Sequence, residues 1–105
     1  MAVDVEAVNT AAKDYADIVR SVMPVDKAVL FGSYAKGNAT ELSDVDVCFF
    51  LSDFGGKRRV EILKELIDLT RGHKDVFFEP TVFPTSEIHR GNPFVNEILQ
   101  TGREI

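Results

Sequence analysis

The sequence predicts an α/β fold, a small mixed sheet with helices packed on it, and three observations lead there. Apolar residues recur at helical spacing near the N-terminus. Two short runs, Lys27 to Phe31 (KAVLF) and Val45 to Leu51 (VDVCFFL), are dense in strand-forming residues. Helical patterns and strand-like runs then alternate to the end of the chain, the order expected of helices covering a sheet. With 105 residues, 45% of them hydrophobic, the chain has the size and composition of a single domain spanning 1–105.

The first helix rests on Val8, Ala11, Ala12, Tyr15, Ile18, Val19 and Val22, spaced by threes and fours, and Pro24 ends it. KAVLF suits a short buried strand, and a turn-rich stretch (GSYAKGNATELSD) follows, with room for a helical turn near Tyr34 to Lys36. VDVCFFL is the clearest strand, broken by Ser52 to Gly56. Lys57 to Arg71 predicts a second helix whose face is Val60, Leu63 and Ile67, widened by Ile62 and Leu66, with Gly72 just beyond its end. Asp75 to Phe83 predicts a third strand, in which Pro80 demands an edge or a bulge because it has no N–H for the ladder. Pro84 to Glu87 opens a short helical segment. Asn92 is placed as an N-cap with Pro93 at the first helical position, before a last helix that ends at Gly102.

Charge and composition exclude several roles. A formal net charge of −5 disfavours broad binding to nucleic acid, which calls for a basic face. The single cysteine, Cys48, forms no intrachain disulfide and reads as a small core residue. Met1 to Glu6 carries acids where a secretion signal has a basic start, and no apolar run reaches membrane-spanning length, so a cytoplasmic protein is expected. So small a domain also gains from a second copy, which leaves room for a homo-oligomer. His73 and His89 lack partners at zinc-ligand spacing. Phe49, Phe50, Phe77 and Phe78 are read as core, and Lys57-Arg58-Arg59 as a solvated face.

The chemistry lies between Phe31 and Val47. Asp44 and Asp46 are two apart at a strand start, so both project to one face with Cα atoms ~7 Å apart. Neighbouring carboxylates raise each other's pKa unless a cation lies between them, and hard oxygen ligands in this arrangement suit Mg2+ or Mn2+ held together with phosphates. Alone, Asp-x-Asp also fits a solvated strand end. Gly32, directly after a buried strand, lets the backbone approach a phosphate, and Ser33 adds a hydroxyl donor. The glycines match neither a Walker loop nor a dinucleotide fingerprint.

Taken together, GSYAKGNATELSDVDV resembles the signature of the DNA polymerase beta nucleotidyltransferase superfamily, and the short NPFVNEIL ending is similar to its minimal members. The resemblance implies a polymerase beta palm-like fold, with Gly32 and Ser33 on the phosphates of a nucleoside triphosphate and Asp44 and Asp46 as metal ligands. It also implies a third carboxylate on a later strand, for which Glu79 and Asp75 are the candidates. Glu79 is favoured because it lies inside an apolar run, where an unpartnered carboxylate is costly. Lys36 falls where the family places a phosphate- or acid-contacting cation. Ser43 belongs to the motif and can instead close its own turn.

The implied reaction is Mg2+-dependent transfer of a nucleotidyl group, with ATP as donor, to a hydroxyl on a partner protein. The partner implied is a helical HEPN-type toxin, with this chain as antitoxin. Two other roles fit the same scaffold: an inactive module that neutralises a helical partner by contact, and a transferase acting on a small alcohol such as an antibiotic.

Overall fold

The computed structural model describes residues 4–40, 43–73 and 75–105. Met1 to Val3, read above for a leader, and Glu41 and Leu42 of the turn-rich stretch lie outside them. The elements run α1 (Val5–Val22), β1 (Val25–Phe31), α2 (Ser33–Lys36), β2 (Val45–Leu51), α3 (Arg59–Asp68), β3 (Phe78–Pro84), a 3-10 turn (Thr85–His89), α4 (Pro93–Thr101) and β4 (Arg103–Glu104). The strands form one mixed sheet in the order β3-β2-β1-β4. β1 is antiparallel to β2 and β4, whereas β3 runs parallel to β2 through the α3 crossover.

Two apolar layers sandwich the sheet. On one face α1 and α3 cover Ala28, Leu30, Val45, Val47, Phe49, Leu51 and Val82. On the other, Val95 and Ile98 of α4 close over Val29, Cys48 and Phe50. β2 is therefore apolar on both faces beyond its first residues, as a central strand must be. Tyr15 ties the first layer together: its ring meets Phe49 edge-on at 5.5 Å, and its hydroxyl donates to the Leu66 carbonyl of α3 at 2.6 Å. Burial raises the pKa of that hydroxyl, which stays protonated as a donor.

The helix ends follow local chemistry. The Asp4 carboxylate accepts from the Ala7 N–H at 3.0 Å and caps α1. Asn92 caps α4 by accepting from the N–H groups of Phe94 and Val95, with Pro93 following as expected. Gly102 stops α4 against β1, where a side chain would collide with the Ile98 carbonyl and the Val29 side chain.

The helical faces differ from those read from spacing. In α1 the buried set is Val8, Ala12, Tyr15, Ala16 and Val19, while Ile18 and Val22 are exposed. Two alanines on the inner face let this helix lie close to the sheet and turn the larger residues outward. α3 begins at Arg59 rather than Lys57. Lys57 donates its N–H to the Phe54 carbonyl in a turn, and Glu61 accepts from the Arg58 N–H at 3.2 Å. Arg58 is thus the N-cap, and Glu61 in the first turn offsets its charge at the positive end of the helix. Ile62 and Leu66 face the core, whereas Val60 and Ile67 are 53% and 55% exposed. Arg59 sets this rotation: its Nε donates to the Val82 carbonyl at 2.7 Å and its guanidinium lies over the Phe83 ring. The helix stops at Asp68, where the Thr70 hydroxyl takes the Ile67 carbonyl at 2.7 Å, so Gly72 is not its cap.

β3 begins at Phe78, three residues later than expected, because the chain still turns at Val76, whose N–H bonds the His73 carbonyl. Pro80 lies on an edge strand with the pairing to β2 unbroken, so no bulge is needed. The Val45 N–H donates to the Phe77 carbonyl. Residues 77, 79, 81 and 83 therefore turn their peptide groups toward β2, and 78, 80, 82 and 84 turn theirs to the open edge. Two of those outward positions are prolines, and the Val82 carbonyl is already taken by Arg59. This edge is closed to strand addition. The two-residue β4 on the opposite side of the sheet was not foreseen; it is too short to leave a pattern.

Candidate active site

Asp46 and Glu79 are neighbours across two strands, and Gly32 comes directly after the residue of β1 that flanks Asp46 on its other side. Phe31, the last residue of β1, pairs with Asp46 of β2, and Asp46 pairs with Glu79 of β3. Gly32 follows immediately with φ 75 and ψ −151, a conformation that L side chains rarely adopt. A Cβ there would also overlap the Asp46 carboxylate oxygen Oδ2. Glycine is required twice at this position, by its own backbone and by the carboxylate beside it. Ser33 opens α2, whose start no side chain caps, so its hydroxyl and the adjoining backbone form the β1 side of the cluster.

The carboxylates interact across the sheet. Asp46 is half-buried, and its pKa is raised to about 6. Desolvation is the main cause, followed by the charge of Glu79, a side-chain hydrogen bond with Glu79, and the charge of Asp44. Carboxylates brought this close would be balanced by a cation between them. Asp44 is exposed just before β2 begins and adds to the same negative field. Cys48, next on the Asp46 face, lies fully in the core, and burial pushes its thiol up to about 12. It serves packing.

Other expectations change in detail. Asp75 is exposed in the turn ahead of β3 and does not align with Glu79. Glu79, rather than Asp75, is the acid that the register places beside Asp46. It is exposed on the edge strand rather than trapped in an apolar interior. The Ser43 hydroxyl accepts from the Thr40 N–H at 2.9 Å and closes the loop before β2. Lys36 pairs with Glu97 of α4 at 3.5 Å, both exposed. Lys57 pairs with Glu65 at 2.8 Å, well away from Gly32.

Phe77 was read as core and is not: it is 74% exposed. Phe78 tilts against Tyr15 on the α1 face, centroids 4.7 Å apart, so alternation assigns Phe77 and Glu79 to the opposite face. The signal lay in the sequence, because Phe77 shares its parity with Glu79 and not with the core residue Val82.

The donor set suits a hard divalent cation, since its side-chain ligands are carboxylate oxygens on adjacent strands. It is an open set. Among the described residues no three His, Cys, Asp or Glu side chains come together closely enough to hold a metal ion by themselves. Phosphate oxygens and water would have to finish the coordination, as is usual for Mg2+. A cavity of about 510 Å³ lies at the other end of β2, lined by Met23, Leu51, Phe54, Ile62 and Leu69 among others. None of Gly32, Asp44, Asp46 and Glu79 lines it. Among the described residues no helix is long and apolar enough to cross a membrane.

Comparison with known proteins gives the family and the fold. The family model described as nucleotidyltransferase domain matches residues 12–103. A Methanocaldococcus jannaschii protein, provisionally assigned as a protein adenylyltransferase, is 24% identical over 101 residues, covering 96% of this chain and 97% of its own. A Sulfolobus solfataricus crystal structure, provisionally assigned as a nucleotidyltransferase, superposes with a TM-score of 0.61 at 18% identity. That match covers 90% of this chain and 76% of the other, and it establishes a shared fold.

Proposed function

Since the chain belongs to the nucleotidyltransferase domain family and is a nucleotidyltransferase taking a nucleoside triphosphate, we propose that it transfers AMP from ATP to a hydroxyl on a partner protein. The observation that carries this reading is the row Gly32, Asp46, Glu79, which brings a backbone without a side chain directly against paired carboxylates. The protein acceptor is supported by the assignment of the Methanocaldococcus relative, which the chain matches end to end.

In this mechanism Gly32 admits the triphosphate close to the backbone, and the Ser33 hydroxyl donates to a phosphate oxygen. Asp44, Asp46 and Glu79 would hold Mg2+ or Mn2+, which would neutralise charge on the α-phosphate and on the departing pyrophosphate. The acceptor oxygen bonds to the α-phosphorus as the bond to the bridging oxygen breaks. Pyrophosphate leaves with that electron pair, and a Glu79 carboxylate oxygen takes the hydroxyl proton. Lys36 can leave Glu97 for a phosphate, since the pair is exposed and weak. The partner implied by the minimal members of the superfamily is a helical HEPN-type toxin, with this chain as its antitoxin.

Isothermal titration of ATP with and without Mg2+ tests the reading. Wild type should bind only when the cation is present, and the double substitution Asp44→Ala/Asp46→Ala should abolish the heat. A wild type indifferent to Mg-ATP that still binds a helical partner would replace catalysis with neutralisation by contact.

A further inference from the structure

The row of residues gives the site two sides. Gly32 and Ser33 lie on the β1 side of Asp46, and Glu79 lies on its β3 side. An in-line displacement places the attacking and leaving oxygens on opposite sides of phosphorus. With pyrophosphate held at Gly32 and Ser33, the acceptor hydroxyl enters over β3.

An exposed phenylalanine stands on that route. The Phe77 carbonyl is bonded by the Val45 N–H at 2.8 Å, which fixes its backbone against the strand that carries Asp46. Extending the register one step from Val45 and Phe78 sets Phe77 across from Asp44. Phe77 is two residues before Glu79 and shares its face by alternation. Its ring is 74% exposed although Phe78 beside it packs inward. Leaving a phenylalanine in water forgoes burial that the fold uses elsewhere, and the anchored backbone holds the ring at the acceptor's entrance.

Resting on the nucleotidyl-transfer reading above, we propose that Phe77 is an acceptor-contacting residue that selects hydroxyls carried on an apolar group. The ring packs against the carbon skeleton next to the attacking oxygen, while the nucleotide stays on the β1 side. The acceptor is thereby narrowed to a hydroxyl with apolar surface beside it rather than a sugar or a highly polar alcohol.

A series of primary alcohols from methanol to hexanol serves as probe, with labelled ATP and Mg2+. The readout is the ratio of alkyl-AMP to AMP formed by competing water. In wild type the ratio should rise about two- to threefold per added methylene, the partial burial of each group against the ring. Phe77→Ala should flatten that dependence, and Phe77→Leu should keep most of it. Titration of Mg-ATP should give affinities for both variants within about twofold of wild type. An equal chain-length dependence in Phe77→Ala overturns the proposal, as does a Phe77→Ala loss of ATP affinity beyond fivefold, which would put the ring on the nucleotide. A wild type that binds Mg-ATP but shows no chain-length dependence defeats this proposal alone. One that binds no Mg-ATP defeats the transferase reading with it.

Discussion

Gly32 and Asp46 are so close that no side chain fits between them: a methyl group on the glycine would overlap the aspartate Oδ2. The end of β1 and the start of β2 therefore constrain one another through a residue with no side chain. In the proposed reaction that contact borders the phosphates.

Gly32→Ala should consequently impair both binding and stability. The backbone at φ 75 and ψ −151 disfavours alanine by about 1–3 kcal/mol, and the overlap pushes the Asp46 carboxylate aside. Mg-ATP affinity should fall at least tenfold by titration calorimetry, with Tm lower by several degrees. Retention of wild-type affinity would remove Gly32 from the site.

Asp46→Asn should stabilise the fold while eliminating transfer. The folded pKa of about 6 lies above the ordinary aspartate value of 3.8, so the native state binds this proton more tightly than the unfolded chain does. The contribution is complete below pH 4 and is lost as pH rises through 6. Asparagine does not titrate. The variant's Tm, relative to wild type, should therefore climb between pH 4 and pH 7 and then level off, by a few degrees because Asp46 is partly solvated. Scanning calorimetry across that range without divalent ions checks it, and a flat difference would contradict the coupled carboxylates.

Tyr15→Phe removes the hydroxyl bonded to the Leu66 carbonyl but keeps the ring against Phe49. A carbonyl that loses its buried partner should cost about 1–2 kcal/mol, read as a lower urea midpoint at unchanged m-value. Transfer activity should survive at low temperature.

Arg59→Ala frees the Val82 carbonyl and strips the cation from the Phe83 ring. Stability should drop by about 1–2 kcal/mol. Combined with Pro80→Val and Pro84→Val it opens the β3 edge to pairing, and size-exclusion chromatography should then show association that wild type does not display at the same concentration.

Much of the fold was legible because the strand signals are local. VDVCFFL declares a central strand through its uninterrupted apolar content, and Asn92-Pro93 declares a helix start through backbone chemistry alone. The motif from Gly32 to Asp46 was readable for the same reason. What escaped depends on contacts made far along the chain. Arg59 turns α3 by reaching β3, which puts Ile62 and Leu66 inward and leaves the Val60 and Ile67 stripe outside. Glu79 was chosen over Asp75 from apolar neighbours, yet it is exposed; its place in the site comes from register with Asp46, which no single segment encodes. Phe77 was assigned by hydrophobicity when alternation already placed it with the acid.

β2 is clamped by a ladder on each flank and by an oily layer above and below, and the same seven residues bear Asp46. Foundation and tool are one piece. A truncation such as Phe49→Ala, deep beneath the reactive end, would blunt turnover through a slackened scaffold even though it touches neither nucleotide nor ion.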